Sequence, residues 1–492
     1  MAQVASPKDD LLEVGKITVD PACAYVIAGS AARRFQVLPF TKIGNKFYVA
    51  CRKNDQDSAQ RLMAKHLEPG DELICKFCDP DGLEKEILKI YGSAAAAQAV
   101  QNNEDSAAVQ ASKEILDAAI IDGASDIHIE PGPEILICRF RTNGVMKIFS
   151  RRQMEDHATL VSRIKVLGNM DISEKRLPQD GKLSYAFRGG EREIDVRIAS
   201  IPTKYGEKLT MRLIGATVIP DNVAALGMRK DHETILYEAL EKPQGMILVT
   251  GPTGSGKSTT LYSCLQRLVS KGNLSILSLE DPVEYDLLGV TQVEISQDRT
   301  TFAKGLRSAL RHDPDVLLVG EIRDAETAAI AFRASITGHL VLSTLHTNSC
   351  AATLTRLVDM GVEPYMVGST LRAVMAQRLT RKLCSFCRDQ RQANEHELKI
   401  LKLPPGTQLN ISDPVGCFRC AGSGYKGRMG IYDVIEVGQV LAELMPSNPN
   451  EAEIRRAIAT YTNSSMLLDA THKLHEGLTS FEEVLRVIDL DS

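Results

Sequence analysis

The chain has 492 residues, of which 43% are hydrophobic and 25% charged, and its net charge is −5 at pH 7. This length predicts two to four domains of a soluble globular protein. The small net charge gives no bulk electrostatic case for binding nucleic acid or an anionic membrane, and no apolar run approaches the length of a membrane span. Without a secretory signal, a cytosolic location is expected, which favours metal or core roles over disulfides for the eleven cysteines.

Residues 1–92 predict a small α/β module with strand-like stretches at 25–27 and 46–50 and a helix near 57–65. Cys75 and Cys78 form a lone C-x-x-C in a strand-like segment, which we interpret as core or surface thiols rather than a metal site. Residues 93–109 are low in large apolar side chains, so we predict a linker there, with a weak helix as the alternative.

Residues 110–225 predict an α+β domain. A helical face near 115–120 is followed by a helix at about 154–167 among strand-like segments at 125–130, 135–141, 182–187, 193–200 and 209–213. Four arginines alternate with apolar residues and should project from one strand face: Arg139, Arg141, Arg197 and Arg212. Solvated side chains are the default interpretation of these arginines, and a cluster that faces a phosphate is the sharper alternative.

The stretch at residues 246–268 combines a short apolar strand, a loop of the form G-x-x-x-x-G-K-S and the start of a helix. Glycines let backbone N–H groups approach phosphate oxygens, and the helix start adds its own N–H groups. Lys257 can reach the outer phosphates, and Ser258 can hold magnesium. We therefore predict a nucleoside triphosphate site made of Gly251, Pro252, Thr253, Gly254, Ser255, Gly256, Lys257, Ser258 and Thr259.

Three further apolar runs, at 275–279, 315–320 and 339–345, alternate with helices and each ends in polar residues, as a parallel sheet requires. Glu321 fits the role of organising magnesium and water, and Glu280 is a second candidate for polarising the attacking water, with Glu284 weaker. His339 and His346 are candidates for sensing the γ-phosphate or contacting the next subunit, and structural histidines are the alternative.

Two C-x-x-C pairs lie within residues 380–430, namely Cys384, Cys387, Cys417 and Cys420. Four thiolates suit a tetrahedral structural zinc site, because they leave no open catalytic position. The gap between the pairs is longer than in compact zinc ribbons, so residues 388–416 should form a loop or an insertion. Four buried free thiols are the alternative.

The sequence resembles the secretion ATPases that drive type II secretion and type IV pilus assembly, the GspE and PilB family, from about residue 112 to the C-terminus. The resemblance rests on the phosphate loop, the cysteine tetrad, Gly-Ala-Ser-Asp-Ile-His-Ile-Glu-Pro (123–131), Arg-Leu-Pro-Gln-Asp-Gly-Lys (176–182), Glu-Asp-Pro-Val-Glu (280–284), Arg-Ser-Ala-Leu-Arg-His-Asp-Pro-Asp (307–315), Val-Gly-Glu-Ile-Arg-Asp (319–324), Thr-Gly-His-Leu-Val-Leu-Ser-Thr-Leu-His-Thr-Asn (337–348) and Gly-Tyr-Lys-Gly-Arg-Met-Gly-Ile-Tyr (424–432). Asn143 and His312 depart from the family's usual aspartate and glutamine.

The resemblance implies a small α+β (PAS-like) domain joined to a RecA-like P-loop ATPase domain at 226–492, assembled as a homohexamer with ATP, Mg²⁺ and Zn²⁺. Glu280 would be the catalytic glutamate and Glu321 the Walker B glutamate. His339 and His346 would form the His box, while Arg197 and Arg212 would approach the nucleotide from the smaller domain.

The leading hypothesis is a cytoplasmic ATPase that powers a type II secretion system from the cytoplasmic face of the inner membrane. Its N-terminal module would dock on an inner-membrane platform protein and a membrane-bound adaptor, without membrane insertion or nucleic acid. A PilB-type pilus-assembly ATPase is the alternative. A pilus-retraction motor, a zinc-dependent nucleic-acid-binding protein and a non-hydrolysing scaffold fit the sequence less well.

Overall fold

The computed structural model describes residues 12–91, 107–187, 192–215, 220, 222–296, 300–462 and 464–488. Most of the predicted linker, 93–109, lies outside these residues. The described chain divides into two units. The first contains residues up to 217 together with 384–388 and 414–426, and the second contains 218–383, 389–413 and 427–492.

The N-terminal module of the first unit is a three-stranded sheet covered by helices. Strand β1 pairs antiparallel with β2, which pairs parallel with β3, and the β1–β2 register shifts between Pro39 and Thr41. Phe40 lies at this bulge and is completely buried. The elements are β1 (Val37–Ile43), β2 (Lys46–Cys51), β3 (Glu72–Phe77), α1 (Pro21–Ala24), α2 (Gly29–Phe35), α3 (Gln56–Met63) and α4 (Pro80–Tyr91).

The second part of the first unit is a six-stranded antiparallel sheet in the order β6-β5-β4-β9-β8-β7. Burial alternates along β5 and β9, so one face packs on two helices and the other carries polar side chains. Its elements are α5 (Ala107–Ile121), β4 (Ala124–Pro131), β5 (Ile135–Thr142), β6 (Val145–Gln153), α6 (Asp156–Leu167), β7 (Gln179–Phe187), β8 (Arg192–Thr203) and β9 (Gly206–Ile214). The predicted α+β fold is confirmed.

The second unit is built on a seven-stranded sheet in the order β12-β11-β13-β14-β10-β15-β18. The pairs from β12 through β15 are all parallel. Alternate residues of β10 enter two separate hydrophobic cores, with Met246 and Leu248 in one and Ile247 and Val249 in the other. Helices therefore cover both faces, which explains why the strand reads as a continuous apolar run.

The sheet strands of this unit are β10 (Gly245–Thr250), β11 (Ile276–Glu280), β12 (Thr291–Glu294), β13 (Val316–Val319), β14 (Leu340–Leu345), β15 (Leu371–Leu383) and β18 (Tyr425–Glu436). Its helices up to β15 are α7 (Lys230–Leu240), α8 (Lys257–Val269), α9 (Phe302–Ala309), α10 (Ala325–Ile336), α11 (Cys350–Asp359) and α12 (Pro364–Thr370). Among the described residues, no helix is long and apolar enough to cross a lipid bilayer.

The chain between the two cysteine pairs is an insertion with elements of its own. A two-stranded antiparallel sheet of β16 (Asp389–Gln392) and β17 (Asn410–Asp413) flanks α13 (Glu395–Ile400). The fold then ends in α14 (Gln439–Leu444), α15 (Glu451–Tyr461), α16 (Met466–His475) and α17 (Phe481–Val487). Leu398 and Ile411 of the insertion share a core with Leu474 and Val484 of the last helices.

Glu483 on α17 is fixed by two arginines of the second unit. Its carboxylate accepts hydrogen bonds from Arg381 Nη2 at 2.8 Å and from Arg486 Nη2 at 2.8 Å, and the side chain is 1% exposed. Burial alone would raise the pKa of Glu483, but the hydrogen bonds from Arg486 and Arg381 outweigh it and lower this pKa to about 2.

We predict that Glu483→Gln lowers the unfolding free energy of this unit by about 3 kcal/mol at pH 7. Because the folded-state pKa is depressed, the stabilisation is present above the unfolded-state pKa and is lost as pH falls through the folded-state pKa. Chemical denaturation measures the unfolding free energy at both pH values. The difference in this free energy between wild type and variant should be smaller by roughly half at pH 3 than at pH 7. The exposed neighbour Glu482 provides the control Glu482→Gln. An equal difference at both pH values would contradict the prediction.

Candidate nucleotide site and cysteine cluster

The phosphate loop connects the buried strand β10 to helix α8. Gly251, Gly254 and Gly256 adopt φ values of 145°, 78° and 89°, in the region that favours glycine. A Cβ atom at Gly251 would lie 2.4 Å from the carbonyl oxygen of Gln377, and one at Gly256 would lie 2.8 Å from Gln377 Nε2. These two glycines are therefore required by both backbone conformation and close packing.

The polar groups of the loop fit a bound phosphate. Lys257 Nζ donates to the carbonyl oxygens of Gly251 at 2.8 Å and Pro252 at 3.1 Å, so the ammonium group lies over the loop. Burial lowers the pKa of Lys257 below its usual range, and the negative charge of Glu321 opposes that shift. Ser255 Oγ is buried and has no hydrogen-bond partner among the described residues. A phosphate here would pair both groups.

Glu280 ends strand β11 and is almost completely buried. One carboxylate oxygen accepts a hydrogen bond from the Tyr262 hydroxyl of α8, and the other accepts from Ser278 Oγ at 2.5 Å and Gln292 Nε2 at 3.2 Å. The Tyr262 hydroxyl also accepts the backbone N–H of Glu284 at 3.2 Å. Burial and then the charge of Glu280 raise the pKa of Tyr262, which keeps this hydroxyl a donor. Glu280 is thus positioned by the helix that begins with Lys257.

Glu321 follows strand β13, and its carboxylate lies beside an arginine and a histidine. It forms an ion pair with Arg323, and its Oε2 lies 3.2 Å from His346 Nε2. Burial alone would raise the pKa of Glu321, but Arg323 and His346 outweigh it and lower the pKa below its usual value. Glu321 therefore carries a negative charge at neutral pH, within the electrostatic field of Lys257. The structure brings Glu321 and His346 together, as the apolar runs before them imply.

His339 is not brought to this edge of the sheet within its own unit. Strands β10 and β14 run parallel from the pair Gly245–Leu340 to the pair Thr250–Leu345, and the phosphate loop follows Thr250. His339 precedes Leu340, and its carbonyl oxygen accepts the Gly245 N–H at 3.1 Å. It therefore lies at the amino ends of the strands, about 20 Å along them from the loop. Its Nδ1 lies 2.9 Å from the Ala334 carbonyl oxygen.

Gln377 and Arg378 are site residues that the sequence analysis missed. Gln377 Oε1 accepts a hydrogen bond from Thr260 Oγ1 of α8 at 2.8 Å, and the Arg378 guanidinium donates to Asn348 Oδ1 at 3.1 Å. Both side chains are at most 8% exposed. The sequence does give one indication of these residues. They are polar residues that follow the apolar run Ala373–Ala376 within one strand, and a polar side chain buried in a strand needs a polar partner.

Arg197 and Arg212 lie in the first unit, on the polar face of the antiparallel sheet. They are register partners on β8 and β9, and Arg212 Nε forms an ion pair with Asp126 Oδ1 at 3.0 Å. Both line a cavity of about 680 Å³ together with Lys182 and Asp180. Arg141 continues the same cross-strand row because it pairs with Asp126 in register. The predicted face of arginines is present, with Asp126 within it.

The four predicted cysteines form the one group of potential metal ligands found among the described residues. Their sulfur atoms lie 3.9 Å apart for Cys384 and Cys417, 3.7 Å for Cys387 and Cys420, and 3.8 Å for Cys417 and Cys420. Four sulfurs about 2.3 Å from one tetrahedral ion are about 3.8 Å apart, so the cluster fits zinc. Burial would raise the pKa of Cys420, but the backbone N–H groups of Cys417 and Gly424 lower it overall.

Comparison with known proteins identifies the family. The type II/IV secretion system protein family matches residues 101–486. This chain belongs to that family. Type II secretion system protein E of Aeromonas hydrophila is 45% identical over 478 residues, which cover 97% of this chain and 89% of that protein. Type II secretion system ATPase E of Vibrio cholerae serotype O1 is 43% identical over 389 residues, 79% of this chain and 76% of that protein.

Solved structures confirm the RecA-like fold of this secretion ATPase. The pilus retraction motor PilT with bound ADP matches with a TM-score of 0.51 and 26% identity, over 76% of this chain and 96% of PilT. The ATPase DotB of Legionella pneumophila matches with a TM-score of 0.56 and 22% identity, over 76% of this chain and 94% of DotB, and supports the fold alone. Family membership and the phosphate loop together make the chain an ATPase that uses ATP.

We predict that Tyr262→Phe lowers kcat for ATP hydrolysis by about tenfold, since a hydrogen bond to a charged group contributes ~1.5 kcal/mol or more. The KM for ATP should change little, because Tyr262 holds Glu280 rather than the phosphate loop. Steady-state ATPase assays measure both constants. Tyr237→Phe is the matched control, because Tyr237 lies on α7 and its ring faces Arg267 instead. A kcat equal to wild type would show that the Tyr262 hydroxyl does not position Glu280.

Proposed function

We propose that this chain is the hexameric ATPase of a type II secretion system and that its ATP hydrolysis powers pseudopilus assembly and protein export. The observation that carries the proposal is the extent of similarity to type II secretion system protein E. The alignment with the Aeromonas hydrophila relative spans 97% of this chain, and therefore extends into the N-terminal module. That module lies before the family match, which begins at residue 101.

The site residues fit ATP hydrolysis in assigned roles. The loop N–H groups and Lys257 hold the phosphates, and Ser258 at the start of α8 holds magnesium. Magnesium, when bound, supplies positive charge to the phosphate oxygens. Glu280, held by Tyr262 and Ser278, orients the attacking water and accepts its proton. Glu321 would organise the water molecules around the metal. Its contact with His346 holds the imidazole beside the phosphate loop, where it could sense the γ-phosphate.

Arg197 and Arg212 are proposed to approach the nucleotide from the smaller domain. The cross-strand row that holds them is cationic except for Asp126, and its cavity has the size of small-molecule sites. Guanidinium groups suit this task because they bind phosphate oxygens with two donors. His339, at the opposite edge of the sheet from its own phosphate loop, is better placed for a contact with a neighbouring subunit.

The N-terminal module is proposed to dock on an inner-membrane platform protein and a membrane-bound adaptor, so that the ATPase works at the cytoplasmic face of the inner membrane without entering it. A pilus-assembly ATPase is the second candidate function, and the structural similarity to the pilus retraction motor PilT supports it. The two readings differ in the machine that is driven, while the nucleotide site is the same.

Replacing either glutamate should stop hydrolysis. We predict that Glu280→Gln lowers kcat by about a hundredfold or more, since a positioned general base contributes that much. Glu321→Gln should lower kcat by a similar factor, because the metal's water shell would lose the carboxylate that organises it. Lys257→Ala provides the blank, and Glu326→Gln is the control because Glu326 is an exposed carboxylate paired with Arg307. Magnesium-dependent phosphate release from purified protein is the measurement. Full-rate hydrolysis by Glu321→Gln would remove Glu321 from the catalytic assignment.

The same variants separate the two cellular functions. In the source bacterium, chromosomal Glu321→Gln should abolish export of type II secretion substrates while surface pili remain. Lost pili with normal export would favour the pilus-assembly candidate.

Mixing purified Lys257→Ala with Arg197→Ala should restore hydrolysis if sites are completed between subunits. No restoration would place each site within one chain.

The cysteine cluster should hold one zinc ion per chain, measured by elemental analysis of the purified protein. Cobalt substitution should give the absorption bands of a tetrahedral thiolate site, and Cys417→Ser should abolish both signals. Cys264→Ser is the matched control, since Cys264 is a fully buried residue of α8 and takes no part in the cluster. A metal-free wild type with four reactive thiols would favour the free-thiol alternative.

A further inference from the structure

The cysteine cluster contacts the N-terminal module within the first unit. Phe418 and Arg419 are the two residues between the ligand candidates Cys417 and Cys420. The Phe418 ring packs edge-on against Phe40, with ring centroids 6.3 Å apart and planes at 82°. Phe40 is completely buried at the bulge of β1. The C-terminal cysteine loop thus adds an aromatic side chain to the hydrophobic core of the N-terminal module.

Two further contacts come from the same short loop. Thr18 Oγ1 donates a hydrogen bond of 2.6 Å to the carbonyl oxygen of Arg419. Gly422 adopts a φ of 73°, and a Cβ atom there would lie 3.3 Å from Ile43 Cγ1, the last residue of β1. Residues 418–422 therefore present an aromatic ring, a carbonyl acceptor and a close backbone approach to one face of the module.

The conformation of this loop depends on the sulfur atoms. The backbone N–H groups of Cys417 and Gly424 each donate to Cys420 Sγ at 3.2 Å, on either side of the contact residues. Regular structure in the loop amounts to a three-residue 3₁₀ helix, Phe418–Cys420. A bound metal would fix all four sulfurs and tie this turn to Cys384 and Cys387. Without metal, the turn would keep local hydrogen bonds such as Gly422 N–H to the Cys417 carbonyl oxygen at 2.9 Å, but no metal–sulfur bond would join the two cysteine pairs.

We propose that the metal-bound cysteine cluster is the docking site of the N-terminal module, residues 12–91 of the same chain, and that metal occupancy decides whether the module stays attached. The inference rests on the proposed zinc site. The first cysteine adjoins a strand of the ATPase sheet, since β15 ends at Leu383 directly before Cys384. The module proposed to bind the membrane partner is thereby held by loops that belong to the ATPase sequence.

Hydrogen–deuterium exchange on the full-length protein tests the contact itself. Phe418→Ala should retain one zinc per chain, yet the amides of residues 37–43 should exchange at least about tenfold faster than in wild type. Phe386→Ala is the control, because Phe386 lies between the other two cysteines and its ring faces the Arg419 guanidinium rather than the module. Unchanged exchange at 37–43 in Phe418→Ala would overturn the docking site.

Zinc removal tests the metal's part. Cys417→Ser, or chelation of the wild-type protein, should accelerate the same amides by a similar factor while the amides of β10 and β14 remain at their wild-type rates. Acceleration throughout the chain would indicate general unfolding and would overturn the specific role of the metal. Absence of zinc from the purified wild type, measured by elemental analysis, would overturn the zinc proposal. If Phe418→Ala still accelerated exchange at residues 37–43 in that zinc-free protein, metal control of docking would be overturned as well.

Discussion

The parallel alignment of β10 with β14 and β15 is the constraint on which the nucleotide site depends. β10 is buried between these two strands, so the chain segments that follow all three arrive at one edge of the sheet. Thr250, at the end of β10, connects it to the segment that follows β14, since its hydroxyl accepts the Thr347 N–H at 2.9 Å. Gln377 of β15 lies against the glycines on the other side. The loop that holds phosphates is therefore shaped as much by its neighbours as by its own sequence.

The two glutamates at this edge are held in opposite ways. Glu280 is almost completely buried and surrounded by neutral donors, which orient its carboxylate group. Glu321 is paired with Arg323 and lies beside His346, and its pKa is lowered below the usual value. One carboxylate is thus oriented by neutral donors and the other is paired with an arginine, so the two differ in electrostatic environment. This difference supports the two different roles that we propose for these glutamates.

The sequence predicts the parts of the site that depend on local pattern. The phosphate loop is one contiguous motif, and Glu280 and Glu321 could be found because each ends an apolar strand. Tyr262 and Gln377 could not be found in this way, because each acts on a partner that only the tertiary fold brings near. Gln377 is 117 residues from Thr260 along the chain. The two histidines flank strand β14, and only His346 follows its carboxyl end. The direction of the strand therefore decides which histidine lies beside the phosphate loop. The cysteine spacing predicts the cluster but carries no information about the N-terminal surface that it contacts.

Strand β15 passes beside the phosphate loop and ends directly before the first cysteine. It is 13 residues long and carries Gln377, which contacts the phosphate loop, and it ends directly before Cys384. A paired strand scarcely changes its length, because its backbone is already extended and each residue advances about 3.3 Å. The six steps from Gln377 to Leu383 therefore span about 20 Å of paired strand. The segment between Gln377 and the first cysteine is therefore regular strand rather than loop.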